Sequence, residues 1–348
     1  MQKGITIVTG LFYIQILFCQ HSGFDTINRR GDIRVMFYNT ENLFDSYNDT
    51  LVNDEEFLPG SEKKWTYDRF HHKTINLYKT IAAIGETKPP EIICFAEVEN
   101  KYVLLELIRN TPLEKYPYGV VHFDSPDPRG IDVGLLYRKD VVQPIQSRPI
   151  NISHPSDTLR TTRDILFLQA VINSSDTLNL FVNHWPSRRS GVRKSEPLRM
   201  QAASTLRKNV DSILGIDPCA NIIITGDFND EPFNRSMKES LKTLIPDKYF
   251  QCDELYNLSE SLMKNCYCGT YRYESVWNMF DQFIVSGALL DNKQSISTCA
   301  ECIHIADFDF LLIEDEQFGG RKPFRTYVGP VYKGGFSDHM PVYLDLYY

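Results

Sequence analysis

Gly335-Phe336-Ser337-Asp338-His339-Met340-Pro341, near the C-terminus, and the earlier Gly226-Asp227-Phe228-Asn229 decide how this chain is read. An Asp beside a His, and an Asp two residues from an Asn, are hard-oxygen and imidazole groups suited to holding a divalent cation and activating water. Both segments border apolar runs, Ile222-Ile223-Ile224 before the first and 342–346 after the second. A polar group at a strand end is aimed rigidly into whatever cleft the strand ends share. Gly226 permits close backbone approach, and in extended chain Asp227 and Asn229 point to the same side. Taken singly, Asp-Phe-Asn also suits a plain turn.

Working outward, further strand ends carry polar groups of the same kind. Asn39 follows the run 33–38 and offers a neutral carbonyl oxygen for a cation, although Asn alone also forms turns. Glu97 ends the apolar run 92–96, where a buried carboxylate needs a partner that a cation would supply; a surface glutamate fits the segment equally. Arg163, before the run 165–172, has the fork for a phosphate oxygen, but arginines are commonly exposed. Asn183 and His184 end the run 178–182, and His184 is placed to donate a proton or to pack under Trp185. The loop 188–194, with Arg188 and Arg189, adjoins that histidine in an otherwise acidic protein, which favours phosphate attraction over a merely solvated face. Asp281 opens the run 282–285 and is suited to accept the His339 N–H and fix its tautomer, leaving Asp338 free to face the metal.

These runs belong to a chain in which short strands alternate with helical stretches, without low-complexity linker or internal repeat. Strands are expected at 33–38, 92–96, 119–123, 133–137, 165–172, 178–183, 222–225, 282–285 and 342–346. Several follow one another with no helix between, so the sheets must be partly antiparallel. Leu198, Ala202, Leu206, Val210 and Ile213 recur at helical spacing, predicting a helix over 196–214 capped by Ser195 and ended by Gly215. A second helix is expected over 67–84, with shorter ones after Asn100 and Asn234. The class is α/β, sheet packed on sheet with helices outside.

At 348 residues, 42% hydrophobic and 24% charged, the chain has the composition of a soluble globular protein; one domain over 25–348 is the simplest division. The net charge of -8 excludes coating nucleic acid through broad positive charge, but not docking one phosphate with a metal and a local basic loop. Residues 4–19 form an uncharged apolar run behind Lys3, so 1–20 read as a secretory signal and the protein as secreted, periplasmic or cell-surface. Cys19 offers a lipid anchor as a minor alternative, disfavoured by the bulk of Phe18. Cys94 is expected as a buried thiol. Cys252, Cys266, Cys268, Cys299 and Cys302 are expected to supply one or two disulfides rather than a zinc site.

In this order the segments resemble the endonuclease/exonuclease/phosphatase superfamily, over about Arg34 to Leu346, most specifically in Gly-Asp227-Phe-Asn229 and Ser-Asp338-His339-x-Pro341. The resemblance implies a four-layer αββα sandwich of two mixed, largely antiparallel sheets, dependence on Mg²⁺ or Mn²⁺, and in-line attack of water on a phosphoester. By motif, Asn39, Glu97 and Asp338 would hold the metal. His339, Asp281 and Asp227 would form the cluster around nucleophile activation, and Asn229, His184 and Arg163 would contact phosphate; apart from the resemblance, Asn183, Arg188 and Arg189 are also expected to bind phosphate. Ala96 stands where the family usually has Gln, and Trp185 where many relatives carry Leu.

A secreted phosphodiesterase acting on nucleic acid, as a monomer, is the leading expectation. A lipid or inositol phosphoesterase is the alternative. Bilayer contact would need an exposed apolar patch such as Phe308, Phe310, Leu311 and Leu312, though such alternation more often marks a covered strand. A non-catalytic binding protein on this scaffold is disfavoured, since every polar position expected at the site is present.

Overall fold

The computed structural model describes residues 30–153, 162–265 and 268–348. The 1–20 signal, Cys19 and Cys266 lie outside them.

The first eight strands are β1 (Ile33–Leu43), β2 (Ile92–Val98), β3 (Tyr118–His122), β4 (Asp132–Arg138), β5 (Val142–Ile150), β6 (Ile165–Ile172), β7 (Asp176–His184) and β8 (Asn221–Asp227). The rest follow as β9 (Thr243–Leu244), β10 (Leu255–Asn257), β11 (Tyr271–Tyr273), β12 (Val276–Asn278), β13 (Asp281–Ser286), β14 (Ile303–Ile305), β15 (Leu312–Glu314), β16 (Arg321–Pro323), β17 (Tyr327–Val328), β18 (Val331–Tyr332) and β19 (Val342–Leu346). One sheet runs β14-β19-β1-β2-β4-β3 and the other β5-β6-β7-β8-β13-β10-β9. Within them β1/β2, β7/β8 and β10/β9 pair in parallel and the other neighbours antiparallel, as expected of mixed, largely antiparallel sheets.

Helices α1 (Tyr67–Gly85) and α2 (Lys101–Arg109) cover the first sheet, and α3 (Val192–Leu214) covers the second; α4 (Leu258–Asn265) leads toward the β11–β12 hairpin. Three apolar layers result. Val35 and Phe37 meet Leu168 and Ile223 between the sheets; Met36 and Phe95 meet Leu77 and Ile81 under α1; Phe181 and Ile224 meet Ala202 and Leu206 under α3. Alternate residues of β1 therefore serve two cores, which is why it reads as a continuous apolar run. The four-layer sandwich is the observed fold.

Thr66 and Asn100 cap α1 and α2 through their side chains. Helix α3 starts at Val192, earlier than predicted, and Ser195 instead bonds back to the Gly191 carbonyl from inside the first turn. Cys219–Cys252 and Cys299–Cys302 are disulfides and Cys268 is disulfide-bonded too, so these thiols are not zinc ligands; Cys94 is a buried free thiol. Leu311, offered above for membrane contact, is buried with Phe336 and Met340 in a small core that Phe308 and Leu312 flank, while Phe310 remains partly exposed.

Candidate active site

The C-terminal ends of β1, β2, β7 and β8 converge on a cleft of about 760 Å³. The crossings that place them are tight. A Cβ on Gly226 (φ +153°) would meet the Asn183 carbonyl oxygen at 2.2 Å, so β8 approaches β7 only with glycine there. That approach sets His184 in register with Asp227, and β13 sets Asp281 in register with Asp227 from the other side. Four non-glycine residues at the cleft hold positive φ: Glu41 (50°), Asn42 (60°), Glu97 (60°) and Asn229 (50°). Each such conformation costs about 1–3 kcal/mol and persists where surrounding bonds over-determine it.

His339, Asp281 and Asp227 form the floor. His339 Nδ1 lies 2.7 Å from Asp281 Oδ2, while Nε2 faces Asp227 Oδ2 at 3.9 Å. Tyr271 packs on the His339 ring at 4.9 Å. Burial lowers the pKa of His339, but Asp281 and Asp227 outweigh it and hold the ring well above the usual histidine range. For Asp227 burial dominates, opposed by His339 and reinforced by Asp281, and its carboxyl is pushed up to about 7. Asn39 Nδ2 donates to Asp227 Oδ2 at 3.1 Å and the Asn229 N–H donates to Oδ1 at 2.9 Å, fixing that carboxylate.

His184 Nε2 lies 3.6 Å from Asp227 Oδ2 and 3.8 Å from Glu97 Oε1. Burial, then Arg163, Arg129 and His339, push its pKa well below the usual value, so the ring is neutral. Glu97, whose Oε2 accepts the Asn42 N–H at 3.1 Å, consequently has no charged ion-pair partner among the described residues, although buried Lys73 feels its charge. Across the cleft Asp338 accepts from Arg325 Nη2 at 3.0 Å, and Arg325 Nε reaches Glu41 Oε1 at 3.3 Å. Buried Lys73 donates to the Glu41 carbonyl at 3.2 Å. The cleft thus gathers the carboxylates Glu41, Glu97, Asp227, Asp281 and Asp338 together with the cations Lys73, Arg325 and His339, and its lining adds Lys63, Arg129, Arg188 and Arg189. Glu97, without an ion-pair partner other than neutral His184 among the described residues, and Asp338 offer carboxylate oxygens that could hold a hard divalent ion, while Asn39 Oδ1 accepts the Glu41 N–H at 3.0 Å.

The structure brings His184, Asp227, Asn229, Asp338, His339, Glu97, Arg188 and Arg189 to the cleft wall, with Asp281 and Asn39 directly behind it. It does not bring Arg163 or Asn183 there. The Arg163 guanidinium is buried, with Nη1 on Asp127 at 2.9 Å and Nη2 on the Trp185 carbonyl at 2.7 Å. Asn183 is fully buried, donates to the Thr225 carbonyl and accepts from Trp185 Nε1, so Arg163 holds the Trp185 backbone and Asn183 its indole. Arg188 reaches the cleft largely engaged, with the Asn229 carbonyl, Asp230 and Asn234 as acceptors and the Phe280 ring beneath it. Glu41, Lys73, Tyr271 and Arg325 escaped prediction. For Glu41 a signal existed: it stands two residues after Asn39, on the same side of an extended strand.

The protein-family model described as the Endonuclease/Exonuclease/phosphatase family matches residues 34–347. No curated protein sequence matches the chain. Among solved structures it is similar to a humanized D. rerio TDP2 with 14 mutations (18% identity, TM-score 0.54, 91% of this chain and 99% of that one). It is similar also to a mannosyl-6-phosphatase of Bacteroides thetaiotaomicron (16%, 0.55, 91% and 100%) and to the human Nocturnin catalytic domain with bound sulfate (18%, 0.51, 90% and 93%). At these identities the likeness is one of fold. With the family model spanning nearly all of the described residues, the chain belongs to the endonuclease/exonuclease/phosphatase family and is a metal-dependent hydrolase of phosphoester bonds.

Proposed function

We propose that this protein is an exported phosphodiesterase that uses Mg²⁺ or Mn²⁺ to cleave nucleic acid by in-line attack of water on phosphorus. The observation that carries it is the His339–Asp281–Asp227 cluster on the floor of a cleft with unpaired Glu97 on one wall and arginines on its rims. Glu97 and Asp338 would hold the ion, which when bound would supply positive charge to a non-bridging phosphate oxygen. Asp227 and His339 Nε2, fixed 3.9 Å apart, flank the place where the attacking water loses its proton, and Asp281 holds the ring for that exchange. His184 lines the cleft beside Asp227 and Glu97, and Asn229, whose Nδ2 donates to the Trp185 carbonyl at 3.0 Å, keeps one amide hydrogen to offer a phosphate oxygen as charge develops.

Nucleic acid is supported by the walls. Arg188, Arg189, Lys63 and Arg325 line the cleft, and exposed Tyr273 offers a ring face on which a base stacks, beside Tyr271 and Phe280 stacked on each other. Export is supported by the apolar N-terminal run and by disulfides, which persist in oxidising compartments. A sugar or lipid phosphate is the second reading, favoured by the acidic net charge, which leaves few phosphate contacts beyond the cleft, and by the fold shared with a mannosyl-6-phosphatase.

The test is hydrolysis of a mixed panel: plasmid DNA, RNA, an abasic duplex, sphingomyelin, an inositol polyphosphate, a sugar phosphate and an aryl phosphodiester. It is run with Mg²⁺, with chelator, and with His339→Ala. Metal-dependent cleavage of DNA or RNA that vanishes in the variant is the expected result. Turnover of a sugar or lipid phosphate alone would replace nucleic acid as the substrate.

A further inference from the structure

Residues 306–337 form a strap of two small hairpins, β15–β16 and β17–β18, that lies across α1 and carries Arg325 into the cleft. The strap is bolted down close to that residue. Lys73 Nζ, buried within α1, donates to Thr326 Oγ1 at 2.5 Å and to the Phe336 carbonyl at 3.1 Å. Asn76 Nδ2 donates to the Gly334 and Gly335 carbonyls, and the Tyr327 hydroxyl donates to the Lys63 carbonyl. The Thr326 N–H, next in the chain, donates to Glu41 Oε2 at 2.6 Å.

Arg325 is therefore fixed at both ends, by its backbone and by two carboxylates. Nε and Nη2 are committed to Glu41 and Asp338, whereas Nη1 meets no hydrogen-bond acceptor among the described residues on a side chain 44% exposed. Lys73 shares the charge of Glu41, so the guanidinium is not fully neutralised by its two acids. Two other arginines contrast with it: Arg163 is sealed against Asp127, and Arg188 is spent on three acceptors.

We propose that Arg325 is a substrate-binding residue, a pre-oriented guanidinium whose free Nη1 edge binds the non-bridging oxygens of the phosphoryl group on the Asp338 side of the cleft. It deepens the phosphoesterase reading and rests on it. Because both carboxylates are already in place, little side-chain freedom is lost when phosphate arrives. The strap is thereby a substrate-recognition element and not only a cover for α1.

Inorganic phosphate is the probe, titrated calorimetrically into the mature protein at saturating Mg²⁺, so that a change in ion affinity does not enter. Arg325→Ala is expected to weaken phosphate binding about tenfold or more, and Arg325→Lys severalfold, since an ammonium keeps the charge but lacks the planar fork. Circular dichroism checks the fold of each, and the lysine variant preserves the test if the alanine variant unfolds. Unchanged phosphate affinity in either folded variant overturns the proposal. Wild-type protein that binds phosphate in this Arg325-dependent way yet hydrolyses no phosphoester would sink the functional reading and leave the role of Arg325 standing.

Discussion

Replacing Asp281 by Asn keeps the size of a fully buried side chain and removes its charge, which isolates what that carboxylate does for His339. The Nδ1 to Oδ2 contact is 2.7 Å, the short distance of a charge-assisted bond, and Asp281 is fully buried. A hydrogen bond to a charged group contributes about 1.5–3 kcal/mol net, equivalent to about a ten- to hundredfold shift in the balance between protonated and neutral ring. The same factor applies to any step in which the ring takes a proton while Asp281 holds it. Two readouts follow from one variant. In chelated protein, the His339 ring followed by nitrogen–proton correlation from about pH 5 to about pH 9 should stay protonated past neutrality in the wild type and titrate lower in Asp281→Asn. With metal restored, kcat/KM on the best substrate of the panel should fall about ten- to hundredfold. An unchanged titration together with kcat/KM within about twofold would refute the assignment of Asp281 as the group that charges and orients His339.

Asp227 sets a pH dependence whose sign can be worked out. Its folded pKa of about 7 lies above the unfolded value of about 3.9, so between those pH values the folded state keeps a proton that the unfolded state has released. The Asp227 contribution to the stability of the chelated protein should therefore be lost as pH rises through that window, with the raised His339 and Glu99 adding to the decline above it, and Asp227→Asn should lessen the slope below about pH 7 in urea titrations. Arg163→Met should act on the fold rather than on substrate, lowering stability by about 3–5 kcal/mol because buried Asp127 loses its principal partner while KM for a small aryl phosphodiester stays unchanged. A raised KM with unaltered stability would return Arg163 to the phosphate site.

Much of the sandwich was legible because its strands obey simple patterns. Ile222-Ile223-Ile224 and 165–172 are apolar on both faces, and both faces are covered. Strand β5 went unseen for the opposite reason: it is an edge strand, exposed from Gln143 to Pro149, and it carries Pro144 and Pro149, which read as breakers and are tolerated only at an edge. At the site, Asp227, Asn229, Asp338 and His339 stood out because local motif and strand end coincide. Arg163 misled because an arginine shows its charge in a sequence but not its partner, Asp127, which is 36 residues away. Arg325 and Lys73 were invisible for the same physical reason: their places depend on contacts between α1 and a strap more than 250 residues later, set by side-chain bonds and not by any periodicity.

The central claim is that the cleft holds a divalent ion on Glu97 and Asp338 beside the Asp227–His339 pair. Anomalous scattering from crystals soaked in Mn²⁺ locates such an ion directly. A peak within coordination distance of the Glu97 carboxylate, lost in Glu97→Gln crystals soaked alike, is the predicted result. A peak only at the other acid–imidazole group, His122, Asp124 and Asp132, or no peak in the cleft of active enzyme, would contradict it.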